Sequence, residues 1–187
     1  IEESINRIAK LSVRINDVIA SDVHYQYRNK GSFQVFGENE IGFCYPGTKR
    51  PFSINCCPIM EAPINEKIDE ILSNNQLRDQ LIGLKALVIR SNYDNETINS
   101  LKKRDSFYEK VAGLNFFVDV DTFFQINRTI IPKWLNYIQT MIKKYKVGKG
   151  LLDLYCGVGI ISQYLSNDYK KVYGIEINKK LVENGNK

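Results

Sequence analysis

Between Leu151 and Gly159 the chain reads Leu-Leu-Asp-Leu-Tyr-Cys-Gly-Val-Gly, an apolar run broken by an acid and followed by a turn with two glycines. Without a Cβ, Gly157 and Gly159 let the backbone come close to a ligand lying across the strand ends, where open α/β sheets bind. Glu176 ends the next apolar run, Gly174-Ile175-Glu176, about twenty residues on, and a carboxylate there can accept hydrogen bonds from both hydroxyls of a ribose. A lone Gly-x-Gly is common in surface turns, and the bland alternative is a glycine pair plus a solvated glutamate. Strand, acid, Gly-x-Gly, helix, strand and terminal acid in this order form a far more specific signature.

Two nucleotide-type ligands fit that signature differently. A dinucleotide fingerprint calls for a third glycine, so that the helix packs close and a pyrophosphate sits on its first turn. Ser162 holds that position. Asp153, just before the turn, would repel a pyrophosphate but suits a cationic methionine moiety, which favours S-adenosylmethionine over a nicotinamide cofactor.

The elements that position these residues follow from periodicity. Gly150 to Asp153 reads as a strand, Ile160 to Leu165 as a helix, Lys171 to Ile177 as a second strand, and Asn178 opens another helix. This β-α-β-α order starts a parallel, doubly wound sheet. Upstream, Ile5, Ile8, Leu11, Ile15 and Ile19 recur at steps of three and four, which predicts an amphipathic helix over 1–20. Phe33 to Phe36, Ile41 to Tyr45 and Phe52 to Ile54 are short apolar runs separated by turn residues and read as a small antiparallel meander. Ile64, Ile68, Ile71 and Leu72 give a helix, Ala86 to Ile89 a β-rich run, Asn92 to Asn99 a loop or hairpin, and Asn115 to Val120 a strand. Trp134, Ile138, Met141 and Ile142 mark a helix that admits Pro132 in its first turn.

The 187 residues, 43% of them hydrophobic, suffice for one domain or two small ones with an apolar core. No apolar stretch reaches membrane-spanning length and the start has no signal-peptide order, so a cytoplasmic protein with reduced thiols is expected. The net charge of +5 permits an anionic partner such as RNA without demanding one. Lys102, Lys103 and Arg104 read as a solvated surface run.

The Asp153-Leu-Tyr-Cys-Gly-Val-Gly159 turn, Phe123-Phe124-Gln125-Ile126-Asn127 upstream of it, Tyr27-Arg28-Asn29-Lys30 and Cys57-Pro58-Ile59 together resemble the RNA uracil-5-methyltransferases, which make 5-methyluridine in transfer and ribosomal RNA. The resemblance runs along essentially the whole chain. It implies an α/β and α+β organisation. After the helix expected over 1–20, residues 21–121 would form a small antiparallel β-rich central domain facing RNA. Residues 122–187 then form the first β-α-β-α of a Rossmann-like methyltransferase sheet.

For the cofactor, the resemblance implicates Gln125, Tyr155 and Glu176, alongside Asp153, Gly157 and Gly159. Ile160 stands where the family is often polar. Read without the family, Gln125 is an ordinary polar residue entering a helix, and Phe123 and Phe124 are more often core. For RNA, Arg28, Lys30, Lys49 and Arg50 lie in or beside the meander with Tyr27, Phe33 and Tyr45, as a phosphate-binding face with stacking rings would require. Solvated strand edges carry the same charges to block aggregation. Cys57 resembles the last of four cysteines that hold an iron–sulfur cluster in some members. One thiolate cannot hold a cluster, so none is expected in this chain, and a semi-buried structural cysteine is the plainer reading.

In the mechanism that the resemblance implies, a cysteine thiolate adds to carbon 6 of uracil, carbon 5 takes the methyl group, and a base removes the carbon-5 proton before the thiol leaves. The family motifs carrying that nucleophile and base are expected beyond Lys187, so no catalytic residue is assigned here. Cys156, inside the cofactor turn, reads as packing. Two readings from other classes stay open: a non-catalytic RNA-binding module with a structural α/β tail, and, more distantly, a nicotinamide-dependent oxidoreductase.

Overall fold

A computed structural model describes residues 1–102, 105–145 and 148–187, so Lys103 and Arg104 of the basic run lie outside the described residues. Strands β1 (Lys30–Phe36), β2 (Glu40–Cys44), β3 (Pro51–Ser53), β4 (Ala86–Ser91) and β5 (Thr97–Asn99) form one antiparallel sheet in the order β3-β2-β1-β4-β5. The expected meander is its first half. The remaining half comes from β4, which pairs with β1 from Lys30↔Arg90 to Gln34↔Ala86, and from the β4–β5 hairpin.

Cross-strand partners share a face, so this register sorts the side chains into two sets. Phe33, Leu87 and Ile89 face helix α2 (Ala62–Ser73), whose Ile64, Ile68 and Ile71 are buried at helical spacing against them. Pro63 sits in the first turn of α2, where its missing N–H costs nothing. The opposite face, with Val88 and Ile98, packs on a hairpin of β6 (Ser106–Val111) and β7 (Leu114–Asp119). Arg90 is buried between the sheets, facing the Glu109 and Asp119 carboxylates. Burial lowers its pKa to about 10, and those two acids oppose the shift.

Beyond β7 come α4 (Ile131–Tyr145), β8 (Gly150–Leu154), α5 (Ile160–Tyr164), β9 (Lys171–Ile175) and α6 (Lys179–Gly185). Strands β8 and β9 are parallel, from Gly150↔Lys171 to Leu154↔Ile175, which is the β-α-β-α unit read from the sequence. Leu151 and Val172 lie on the face toward α5. Leu152, Leu154, Tyr173 and Ile175 lie on the other face and are each more than half exposed. The α/β and α+β fold class holds.

One helix is much shorter than its periodicity predicts. Residues 1–20 were expected to be helical throughout, but helical structure covers only Glu2–Ser4 (α1) and a π-helical turn at Ile5–Ala9, and Lys10 then turns left-handed at φ 54°. Ile8, Leu11 and Ile19 of the stripe remain exposed and Ile5 and Ile15 are only half-buried, so the stripe buries too little to offset the ordering cost of a longer helix.

Candidate functional site

Strand β8 ends at Leu154 and the chain turns through three left-handed residues: Tyr155 at φ 61°, Gly157 at 59° and Gly159 at 80°. The glycines adopt this conformation freely, whereas Tyr155 is strained, and its ring is 87% exposed. Pairing with β9 continues past the strand, because the Cys156 N–H donates to the Ile175 carbonyl at 3.1 Å. That register delivers Glu176 to the turn. Its Oε2 accepts the Gly157 N–H at 3.0 Å and its Oε1 the Asn178 N–H at 2.8 Å. These backbone donors hold the Glu176 carboxyl below the usual glutamate range, so it is ionised at neutral pH. A carboxylate has about four acceptor positions, which leaves capacity for a diol.

Asp153 turns toward helix α5 and accepts the N–H of Ser162 at 3.1 Å. Ser162, at the third-glycine position, folds its Oγ back on the Gly159 carbonyl at 3.2 Å. Gly185 brings α6 against the turn: a Cβ there would lie 2.9 Å from the Val158 carbonyl oxygen.

The turn separates two clefts. One, of about 230 Å³, is lined by Gln125, Asp153, Tyr155 and Gly157 together with Phe123 and Trp134. The other, of about 400 Å³, lies between the turn, α5 and α6 and includes Gly157 and Gly159. Four of the six sequence-predicted cofactor residues therefore meet in the first cleft; Gly159 lines the second, and Glu176 lines neither but bonds to Gly157, which borders both. Phe124 is core, packed on Phe116 at 5.8 Å between ring centroids, whereas Phe123 is exposed at the cleft. Trp134, half-buried on α4, lines this cleft without being among the residues the sequence assigns to the cofactor; its spacing with Ile138, Met141 and Ile142 signals only the helix.

The Gln125 segment is stitched to Tyr27-Arg28-Asn29-Lys30. Asn29 donates its N–H to the Ile126 carbonyl at 2.9 Å and its side-chain amide to the Gln125 carbonyl at 3.3 Å. Arg28 bridges to Asn127, and Lys30 Nζ donates to the Thr122 carbonyl at 3.4 Å. Burial, with Arg90 nearby, lowers the Lys30 pKa against the pull of Asp121 and Asp119. The four basic residues expected at RNA thus fall into two places. Arg28 and Lys30 are half-buried against the Gln125 loop. Lys49 and Arg50 are exposed at the β2–β3 turn, where Arg50 lies 5.4 Å from the Tyr45 ring centroid. Phe33, expected as a stacking ring, is fully buried in the core and cannot stack.

Cys156 packs: its Sγ lies 2.8 Å from the point a Cβ would occupy on Gly174. Burial first, then the Asp153 and Glu176 charges, raise its pKa, which keeps the thiol protonated. At Cys57 the N–H donates to Asn65 Oδ1 at 2.8 Å and the carbonyl accepts from Asn65 Nδ2 at 3.1 Å. Among the described residues no group of three or more histidines, cysteines and acids converges to hold a metal.

Residues 66–187 match the family described as tRNA (Uracil-5-)-methyltransferase. The chain belongs to this family. A tRNA (uracil(54)-C(5))-methyltransferase of Schizosaccharomyces pombe is 28% identical over 183 residues, covering 87% of this chain and 34% of the relative. A tRNA/tmRNA (uracil-C(5))-methyltransferase of Campylobacter hominis is 23% identical over 204 residues, covering 90% of this chain and 56% of that protein. The crystal structure of Pyrococcus abyssi tRNA (uracil-54, C5)-methyltransferase in complex with S-adenosyl-L-homocysteine superposes with a TM-score of 0.70 at 17% identity, over 99% of this chain and 57% of that one. This last likeness is one of fold. The chain spans 34% to 58% of the length of the first three curated relatives it matches.

Proposed function

We propose that the chain forms the methyl-donor site and part of the RNA-facing surface of an S-adenosylmethionine-dependent enzyme that methylates carbon 5 of a uridine in RNA. Transfer RNA is the favoured substrate over ribosomal RNA, because relatives from a yeast and a bacterium are both named for it. The observation that carries the reading is the Glu176 carboxylate bonded to the amide of Gly157, a residue that also lines the cleft with Gln125, Asp153 and Tyr155. When bound, S-adenosylmethionine supplies a methyl group on a positively charged sulfur.

The chain's own residues bind and orient. Glu176, fixed by two backbone donors, accepts the ribose hydroxyls with no rearrangement of its own. Gly157 admits a ligand close to the backbone, since a Cβ there would meet nothing within 4 Å. Tyr155 and Phe123 offer exposed rings at the cleft mouth, and Gln125 brings a side-chain amide on a backbone whose carbonyl Asn29 holds. Lys49 and Arg50 with Tyr45 supply charge and a ring toward RNA. With Cys156 protonated and packed, no residue here is assigned as nucleophile or base, and the expectation for the 187 residues alone is donor binding without turnover.

Calorimetric titration with S-adenosylhomocysteine tests the site, with Glu176→Ala expected to weaken binding about tenfold or more through the lost charged acceptor. Equal affinity in the variant removes Glu176 from the site. Tight, salt-sensitive RNA binding with no cofactor binding by the parent would favour the non-catalytic RNA module instead.

A further inference from the structure

Two arms bracket the glycine turn. Helix α6 begins just after Glu176, with Asn178 as its cap, and the loop that carries Gln125 leaves the end of β7 at Asp119. They meet at one side chain. The Asp119 carboxylate is buried, and its Oδ1 accepts the N–H groups of Asp121 at 3.0 Å and Thr122 at 2.8 Å, the start of the Gln125 loop. Its Oδ2 accepts Asn184 Nδ2 at 3.1 Å and Lys180 Nζ at 3.1 Å, both from α6. The same Asn184 amide reaches Thr122 Oγ1 at 3.1 Å, and both residues are buried.

We infer that Asp119 is a positioning residue of the donor site, fastening α6 to the Gln125 loop so that Glu176 and Gln125 stand at a fixed separation across the turn. The inference rests on the proposed donor site. Two donors from each arm converge on one carboxylate, and burial of Asp119, Thr122 and Asn184 makes their bonds costly to lose, while the exposed Lys180 adds charge from outside. The far side of the loop is already held by Asn29 and Lys30, and the end of α6 by the Gln163 amide on the Gly185 carbonyl, so loss of the Asp119 contacts acts on the spacing between the two arms.

The test uses the full protein, S-adenosylhomocysteine calorimetry on folded samples, and amide hydrogen exchange. Asn184→Ala and Lys180→Gln cut only the α6 side of the cluster, and each is expected to weaken affinity several-fold, up to about tenfold. Exchange should rise in 121–127 and 178–185 while the β1–β4 amides stay protected. The reciprocal pair Asp119→Asn with Asn184→Asp re-forms an amide-to-carboxylate bond and should recover affinity to within about threefold of the parent.

Asn184→Asp alone sets two carboxylates together among Lys180, Lys30, Arg90 and Asp121. Its affinity should fall as pH rises and the shared proton leaves, whereas the parent stays flat over that range. A role confined to stability would not produce that profile. If the parent binds and the α6 variants bind equally well, with unchanged exchange, Asp119 does not position the site. If the parent itself does not bind, the donor-site reading falls and takes this inference with it.

Discussion

Replacing Tyr155 by glycine should separate the strain in the turn from the work of its ring. The residue sits at φ 61° with its side chain 87% exposed, so the fold gains almost no packing from it. A left-handed non-glycine residue costs roughly 1–2 kcal/mol. Glycine removes that penalty but adds roughly 0.5–1 kcal/mol of unfolded-chain entropy. Urea unfolding of Tyr155→Gly should therefore show stability unchanged or raised by up to about 1.5 kcal/mol at constant m-value. Tyr155→Ala keeps the strain and should gain nothing. Loss of a stacking ring is worth about 1–3 kcal/mol, so both variants should bind S-adenosylhomocysteine about tenfold more weakly. Destabilisation of Tyr155→Gly by more than about 1 kcal/mol would show that the ring packs, and unchanged affinity would take it out of the site.

Asp119 should also govern acid stability. Burial acts to raise its carboxyl pKa, but hydrogen bonds from Thr122, Asn184 and Lys180 outweigh burial and hold the pKa at about 2. A depressed pKa stabilises above the ordinary aspartate value and is lost as pH falls through the folded one. Urea midpoints between pH 5 and pH 2 should thus show the parent losing about 2 kcal/mol more than Asp119→Asn, and parallel losses would contradict the hydrogen-bond assignment. At the β2–β3 turn, Lys49→Gln with Arg50→Gln should lower the slope of log affinity for RNA against log salt by about 1.5, and an unchanged slope would place the RNA elsewhere.

The glycine turn, the acid that ends β9 and the isoleucine spacing of α2 were legible because each is local: a strand, a bend or one helix face written in consecutive residues. What was not legible depends on partners far along the chain. Strand β6 escaped notice because Glu109, an inward position, carries a charge made tolerable by Arg128, 3.7 Å away, the Tyr93 N–H and the buried Arg90, none of them adjacent in sequence. Pairing of β4 with β1 across some fifty residues leaves no local signal. Lys30 looked like a surface cation because nothing nearby in sequence shows that the Thr122 carbonyl accepts its ammonium. The amino-terminal stripe failed the other way: its period is helical, but a period forms a stable helix only where something covers it.

The bond between Glu176 and Gly157 also bears on which nucleotides the bend turns away. A phosphate seeks backbone N–H groups in such a bend and on the first turn of the following helix. Here the Gly157 amide already serves Glu176, and the Ser162 amide already serves Asp153. An incoming phosphate would meet two resident anions, each opposing it by about 4 kcal/mol at 4 Å in a surface-like dielectric. A ligand whose adenosine and amino-acid ends are joined through a cationic sulfur brings no such group, so at this bend charge alone would favour it over a pyrophosphate.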